Sequence, residues 1–293
     1  MEKTQRLRWQ HPGLLLLYSV AATALATAIA VGFATLLRPY RGPGMSILVA
    51  CIAAFAFVGV YAAFCRLIED RPARELAVRF APTELAAGMG VGLVLFSVVV
   101  GVIWALGGYR VLGYHGGAVL LPALGISIQS GFTEEIFFRG FFFRLTEKWL
   151  GTWAALGLSA ALFGALHLGN PHATLLAGAA IMLEAGIMLA AIYMITRRLW
   201  AAIGVHAAWN FAQGGIYGIP VSGGAMDGLL RPDIRGSDLL TGGSFGAEAS
   251  LPAVVVATAF GLVLLALAYR RGQFVAPMGR RSARTNGSAT AAV

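Results

Sequence analysis

An all-α, polytopic membrane bundle of about eight helices is the fold this sequence predicts, and three observations predict it. Of the 293 residues, 58% are apolar and 12% charged, against about 45–50% and about 25% in soluble domains. The mean hydropathy is +0.75. The apolar residues gather in eight stretches, at 14–37, 45–65, 85–106, 117–143, 152–168, 174–196, 199–213 and 251–269, and a helical crossing needs about 20 apolar residues. This composition excludes a disordered chain, a disulfide scaffold and almost any soluble enzyme.

The first stretch, 14–37, exceeds the apolar core of a signal peptide, about 7–15 residues, and reads as an uncleaved anchor. The second holds both cysteines, Cys51 and Cys65. They lie far from any Cys-x-x-Cys pattern and read as small buried hydrophobes. Residues 1–116 with the first three helices form an N-terminal part, and 117–213 with helices four to seven form the core. Residues 214–250 are a Gly-rich outer loop holding Asp227, Asp233, Asp238 and Glu248. A structureless loop longer than about 15 residues is usually functional or disordered. The last crossing is 251–269, and 270–293 is a basic tail suited to anionic lipid. No internal repeat is found.

The placement of Lys and Arg sets the expected orientation. With the N-terminus in the cytoplasm and eight crossings, 16 of the 22 basic residues are cytoplasmic and five are outside, namely Arg38, Arg41, Arg110, Arg231 and Arg235. Arg139 remains within the membrane. That bias places both termini in the cytoplasm. The net charge of +9 follows from this retention of basic loops. No basic run interleaves with aromatics, so nucleic acid is not an expected partner. The expected partners are the lipid bilayer and a protein or peptide substrate, and the expected location is the cell (inner) membrane, multi-pass.

Ionisable side chains at membrane depth cost at least about 2.5–3.5 kcal/mol each near a helix centre and are functional candidates by default. Here they are Glu134, Glu135, Arg139, His167, Glu184 and His206. Glu135 and Arg139 are four apart, share a helix face and suit an ion pair. Glu134 is turned about 100° away and is left as a carboxylate without a partner. The bland alternative is one structural cluster of all three. Phe163 and His167 are one turn apart, so the ring can wall one side of the imidazole. His206 and Asn210 are likewise one turn apart and can serve one small space, or simply bond between helices. His172, past Asn170-Pro171, reads as a loop residue. Glu184 stands outside these pairs. It suits a bond to Arg139 or to one of the histidines, or a protonated carboxyl bonded to a neighbouring helix.

Together the three pairs supply a carboxylate to take a proton, imidazoles to hold water or a metal, and an amide to bind an oxyanion. There is no His-Glu-x-x-His helix, no Gly-x-Ser-x-Gly and no pair of membrane aspartates.

In these residues the chain resembles the CAAX protease and bacteriocin-processing family, also called the Abi family of intramembrane proteases. The family is marked by Glu-Glu-x-x-x-Arg, Phe-x-x-x-His and His-x-x-x-Asn on successive helices. Here they stand as Glu134-Glu135…Arg139, Phe163…His167 and His206…Asn210. The stretch from Thr241 to Ala249 also looks like bacterial members. The resemblance implies an eight-helix membrane endopeptidase that hydrolyses peptide bonds of membrane-associated substrates. It implies Glu134 as the essential carboxylate, with His167 helping it to hold and activate water. His206 and Asn210 would steady the oxyanion, with Glu135 and Arg139 orienting the helix. Zinc is an implied cofactor in one version, with Glu134, His167 and His206 as its three protein ligands. In the other, Glu134 works without a metal. A proton-coupled transporter and a non-catalytic chaperone or immunity protein on the same fold are the rival readings.

The depths of these residues along their helices strain this picture. At about 1.5 Å per residue, Glu134 lies about 13 Å from the cytoplasmic end of its apolar stretch and His206 about 10 Å, but His167 about 22 Å. A tilt, a broken helix or a shifted boundary is needed to bring them level.

Overall fold

The computed structural model describes residues 9–40, 42 and 44–281. Lys3, Arg6, Arg8, Arg41, Arg284 and the end of the basic tail lie outside the described residues. Helices occupy all eight apolar stretches. They begin with α1 (Pro12–Leu37), α2 (Met45–Leu67) and α3 (Ala81–Ala105). A short strand β1 (Tyr109–Tyr114) follows. Next, α4 (Leu120–Glu135) passes through a π-helical stretch (Ile136–Phe143) into α5 (Arg144–Leu150). Then comes α6 (Thr152–His167). After it, α7 (Leu175–Ile181) joins α8 (Ile187–Thr196) through a second π-helical stretch (Met182–Gly186). The seventh is α9 (Trp200–Asn210), prolonged by a third π-helical stretch (Phe211–Ile216). Strand β2 (Leu230–Ile234), a short α10 (Asp238–Thr241) and α11 (Leu251–Arg270) complete the chain.

Among the described residues, five helical stretches are long and apolar enough to cross a membrane: Pro12–Leu37, Met45–Leu67, Arg74–Ala105, Leu175–Thr196 and Leu251–Arg270. Thr152–His167 is apolar but shorter. The helix running from α4 into α5 carries three charges in its middle, and α9 has 11 residues. A count of eight crossings therefore rests on charge placement, not on helix length.

The ends of the helices sort into two groups. At one end Arg144 forks onto Glu69 at 2.8 and 2.7 Å, and Arg71 meets Glu75 at 2.9 Å. Arg197 pairs with Glu147, and Arg198 with Glu84. The Val275 amide donates to Thr152 at 2.8 Å. Although burial alone would lift the Glu69 carboxyl, the guanidinium groups of Arg144 and Arg71 hold it below its ordinary value. The segments expected on one side of the membrane thus close on each other through bidentate, charge-assisted bonds. At the other end β1 pairs antiparallel with β2, with Arg110 opposite Asp233.

Two expectations need correction. The helix beginning at α4 does not end near residue 143. It continues to Leu150, where Gly151 (φ +82°) breaks it. Arg144, Glu147 and Lys148 look like a loop in the sequence but belong to its last turns. Measured from Leu150, Glu134 lies about 24 Å deep, level with His167 at about 22 Å from the start of α6. The shifted boundary brings Glu134 level with His167, whereas His206 stays about 9 Å from the start of α9 at Trp200. Nor is 214–250 a structureless loop. It contributes the end of a helix, a paired strand and a short helix, and it buries Phe245, Ala247 and Glu248 against the bundle.

The helix carrying His206 and Asn210 is held by close packing on α3. Gly88 and Gly92, one turn apart, lie against the backbone of α9. A Cβ on Gly92 would collide with the Val205 carbonyl and stand 3.0 Å from the Ala208 Cβ. Small residues at this spacing let membrane helices approach closely. Gly92→Leu is therefore expected to cost about 1–3 kcal/mol and to shift His206, read as a lowered thermal midpoint in detergent together with lost activity.

Candidate active site

The three motifs converge, and each is associated with a wide π turn, a helix defect common at functional sites. Glu134 and Glu135 immediately precede the 136–143 stretch, and Asn210 precedes 211–216. The Phe163–His167 pair, on α6, packs against the Met182–Gly186 stretch, since a Cβ on Gly164 would stand 2.8 Å from the Met182 Cβ. The sequence around these turns is apolar and free of internal proline, which keeps the helices continuous through them.

Glu135 and Arg139 are both fully buried, and Arg139 Nη1 donates to Glu135 Oε1 at 2.8 Å. The i,i+4 spacing thus makes the pair expected of it. Arg139 Nη2 donates to the carbonyls of Ala185 at 3.0 Å and Gly186 at 3.3 Å, at the wide turn between α7 and α8. The guanidinium also lies over the Phe163 ring, 4.8 Å from its centre. One side chain therefore ties together the three helices that follow α3 in the chain.

Glu135 does more than orient its helix. Its Oε1 also accepts from His206 Nδ1 at 2.8 Å. A carboxylate can only accept, so this bond puts the proton on Nδ1 and turns Nε2 toward the site. Glu134 Oε2 is 4.0 Å from His206 Nε2. It is buried and has no hydrogen-bond partner among the described residues, while the side chain as a whole is 31% exposed. The gap is too long for a hydrogen bond and fits one bridging water.

Asn210 Nδ2 donates to Ser130 Oγ at 2.9 Å, which leaves its second amide hydrogen for another acceptor. Ser130 lies one turn before Glu134 and is invisible as a site residue in the sequence, since a lone serine in an apolar helix carries no signal. His167 Nδ1 is 2.7 Å from the Phe163 carbonyl. A carbonyl only accepts, so Nε2 is the free acceptor of this ring. Its ring stacks on Phe163 with centroids 4.7 Å apart, and Phe163 in turn touches His206 at 6.2 Å. His172 is exposed and lies outside this arrangement.

A small cavity of about 20 Å³ is bounded by His167, His206, Asn210, Ser222, Glu184 and Glu248. That is room for one water. Glu134 does not line it and stands on the Nε2 side of His206. Glu184 is 2% exposed, and its Oε2 has no partner among the described residues. Of the partners the sequence left open for Glu184, Arg139 is engaged elsewhere, donating to Glu135 and to the carbonyls of Ala185 and Gly186. Glu248 reaches the cavity from the 214–250 segment and accepts from the Ser222 amide.

Of the side chains expected to share a zinc ion, Glu134 and His206 stand 4.0 Å apart, and His167 lines the same small cavity as His206. Among the described residues no group of three or more His, Cys, Asp or Glu side chains could hold a metal ion. The arrangement is that of an acceptor carboxylate beside an oriented imidazole.

Residues 116–212, about a third of the chain, match a family model described as Rce1-like, type II CAAX prenyl endopeptidase Rce1-like. The match spans all three motifs and agrees with the resemblance they carry. No curated protein and no solved structure matches the chain.

Proposed function

We propose, from the match of residues 116–212 to the type II CAAX prenyl endopeptidase model, that this chain is a glutamate-type membrane endopeptidase that cuts membrane-associated protein or peptide substrates. One observation carries the reading. Glu134 offers a buried carboxylate oxygen without a partner, 4.0 Å from the Nε2 of a histidine whose other nitrogen is fixed by a second carboxylate.

The chemistry follows from that arrangement. A water between Glu134 Oε2 and His206 Nε2 gives its proton to Glu134 as its oxygen attacks the scissile carbonyl carbon. Negative charge then develops on the carbonyl oxygen. His206, when it carries a proton on Nε2, and the free amide hydrogen of Asn210 are the donors for that oxyanion. Glu135 holds the imidazole in orientation, and Arg139 holds Glu135. His167, with Nε2 as acceptor, orients water in the cavity beside them. The surroundings are apolar, which strengthens each of these interactions.

The test is a membrane N-terminomics comparison of cells carrying the wild-type chain with cells carrying Glu134→Gln at matched abundance. New peptide ends present only with wild type are expected. Equal profiles from two folded proteins would overturn the reading, and a pH-dependent flux in proteoliposomes would then favour the transporter. A further expectation separates the two protease types. Purified protein treated with a strong zinc chelator is expected to keep its cleavage rate, and loss of rate restored by added zinc would contradict the metal-free version.

A further inference from the structure

Glu184 and Glu248 are buried carboxyl groups that the three motifs do not include. Glu184 stands in the Met182–Gly186 wide turn, and Glu248 stands in a single turn, Ala247–Ala249, just before α11. They are 2% and 3% exposed and line the same water-sized cavity. Glu248 accepts the Ser222 amide, while Glu184 Oε2 faces no donor. Two such carboxyl groups in one small buried space do not both ionise, so the pair retains a proton. Burial pushes the Glu248 carboxyl up to about 7.

The position of this pair matters more than its acidity. His206 and Asn210 form part of the cavity wall, and Glu134 Oε2 stands 4.0 Å from His206 Nε2. The site therefore holds a free carboxylate and a proton-bearing pair around the same imidazole. Amide hydrolysis needs both, because an amine leaves only after its nitrogen takes a proton. We propose that Glu184 and Glu248 together are the proton donor to the leaving nitrogen, acting through the single water their cavity can hold.

This rests on the protease reading and adds the acid to its base. Glu134 takes one proton from the attacking water, and the C–O bond forms. The oxyanion collapses, the C–N bond breaks, and the nitrogen takes its proton from the Glu184–Glu248 pair by way of the cavity water. The proton on Glu134 then replaces the one the pair has given. One water is consumed, one carboxyl and one amine are released, and the enzyme returns to its starting state.

The test uses the full chain in lipid nanodiscs and two probes. One is a fluorogenic peptide carrying a site at which the wild-type chain generates new termini. The other is the matching depsipeptide, with an ester oxygen in place of the scissile nitrogen. An ester oxygen leaves with far less help from an acid. Glu184→Gln and Glu248→Gln, each near-isosteric, are expected to lower kcat on the peptide about 100-fold and on the ester less than about threefold. Glu248→Asp, which keeps the acid, is expected to restore part of the peptide rate. Equal losses on both probes would mean a structural role and would overturn the proposal, as would an undiminished peptide rate. If one Gln variant does not fold, the other decides by the same ratio. If wild type cuts neither probe, the protease reading itself has failed.

Discussion

Glu134→Gln is expected to lower peptide cleavage by about 10²–10⁴-fold while leaving the protein folded. The magnitude is that of a lost general base, or about 3–5 kcal/mol in the barrier. The folded state is expected to survive because Glu134 is in no ion pair closer than 4.0 Å and its side chain is 31% exposed. Gln has nearly the same shape and leaves no charge stranded. The Glu135–His206 and Glu135–Arg139 bonds are untouched. Initial rates on a fluorogenic peptide, beside a thermal unfolding curve, check both halves. Glu134→Asp keeps the charge but withdraws it by one methylene from a gap sized for one water, so a smaller loss is expected. A rate unchanged in Glu134→Gln would remove this residue from the chemistry.

Arg139→Met is expected to have the opposite signature, with stability and activity failing together. Breaking a fully buried pair by removing one partner typically costs about 3–5 kcal/mol, since a charge is left without compensation. Here the stranded group is Glu135, with only His206 left as a partner. The carbonyls of Ala185 and Gly186 also lose their donor. Arg139→Lys is not a rescue, because a single ammonium cannot span Glu135 and two carbonyls as the planar guanidinium does. The double variant Glu135→Gln with Arg139→Met removes both charges and is expected to recover much of the thermal midpoint. It is not expected to recover activity, since His206 no longer has a carboxylate to orient it. Thermal unfolding in detergent and peptide cleavage, measured on the same preparations, separate these outcomes.

The helices and the heart of the site are legible in the sequence for different reasons. Apolar runs mark helices because lipid leaves the backbone no other partner. The Glu135–Arg139 pair is legible because spacing by four fixes a shared face. The end of the helix at Leu150 is not, because Arg144, Glu147 and Lys148 are polar, and their partners Glu69 and Arg197 lie far away in sequence. The link from Glu135 to His206 spans 71 residues and appears only when α4 and α9 pack. Ser130 and Glu248 are hidden for the same reason. The packing of 214–250 is obscured by its glycines, which signal turns but do not say what the turns bury.

The wide turns carry a consequence for the phase of the helices. A π turn holds more residues than an α turn, so each one resets the angle at which everything beyond it emerges. Deleting Leu183 from the Met182–Gly186 turn would let an ordinary helical ladder close there, leaving the helix beyond in place while the residues within the turn shift by about 100°. Helix content by circular dichroism is expected to be unchanged. Yet Glu184 and the two carbonyls under Arg139 would point elsewhere, and cleavage would be lost. In this bundle the angular register of the chain, set by three local irregularities, is as much a part of the site as the side chains that line it.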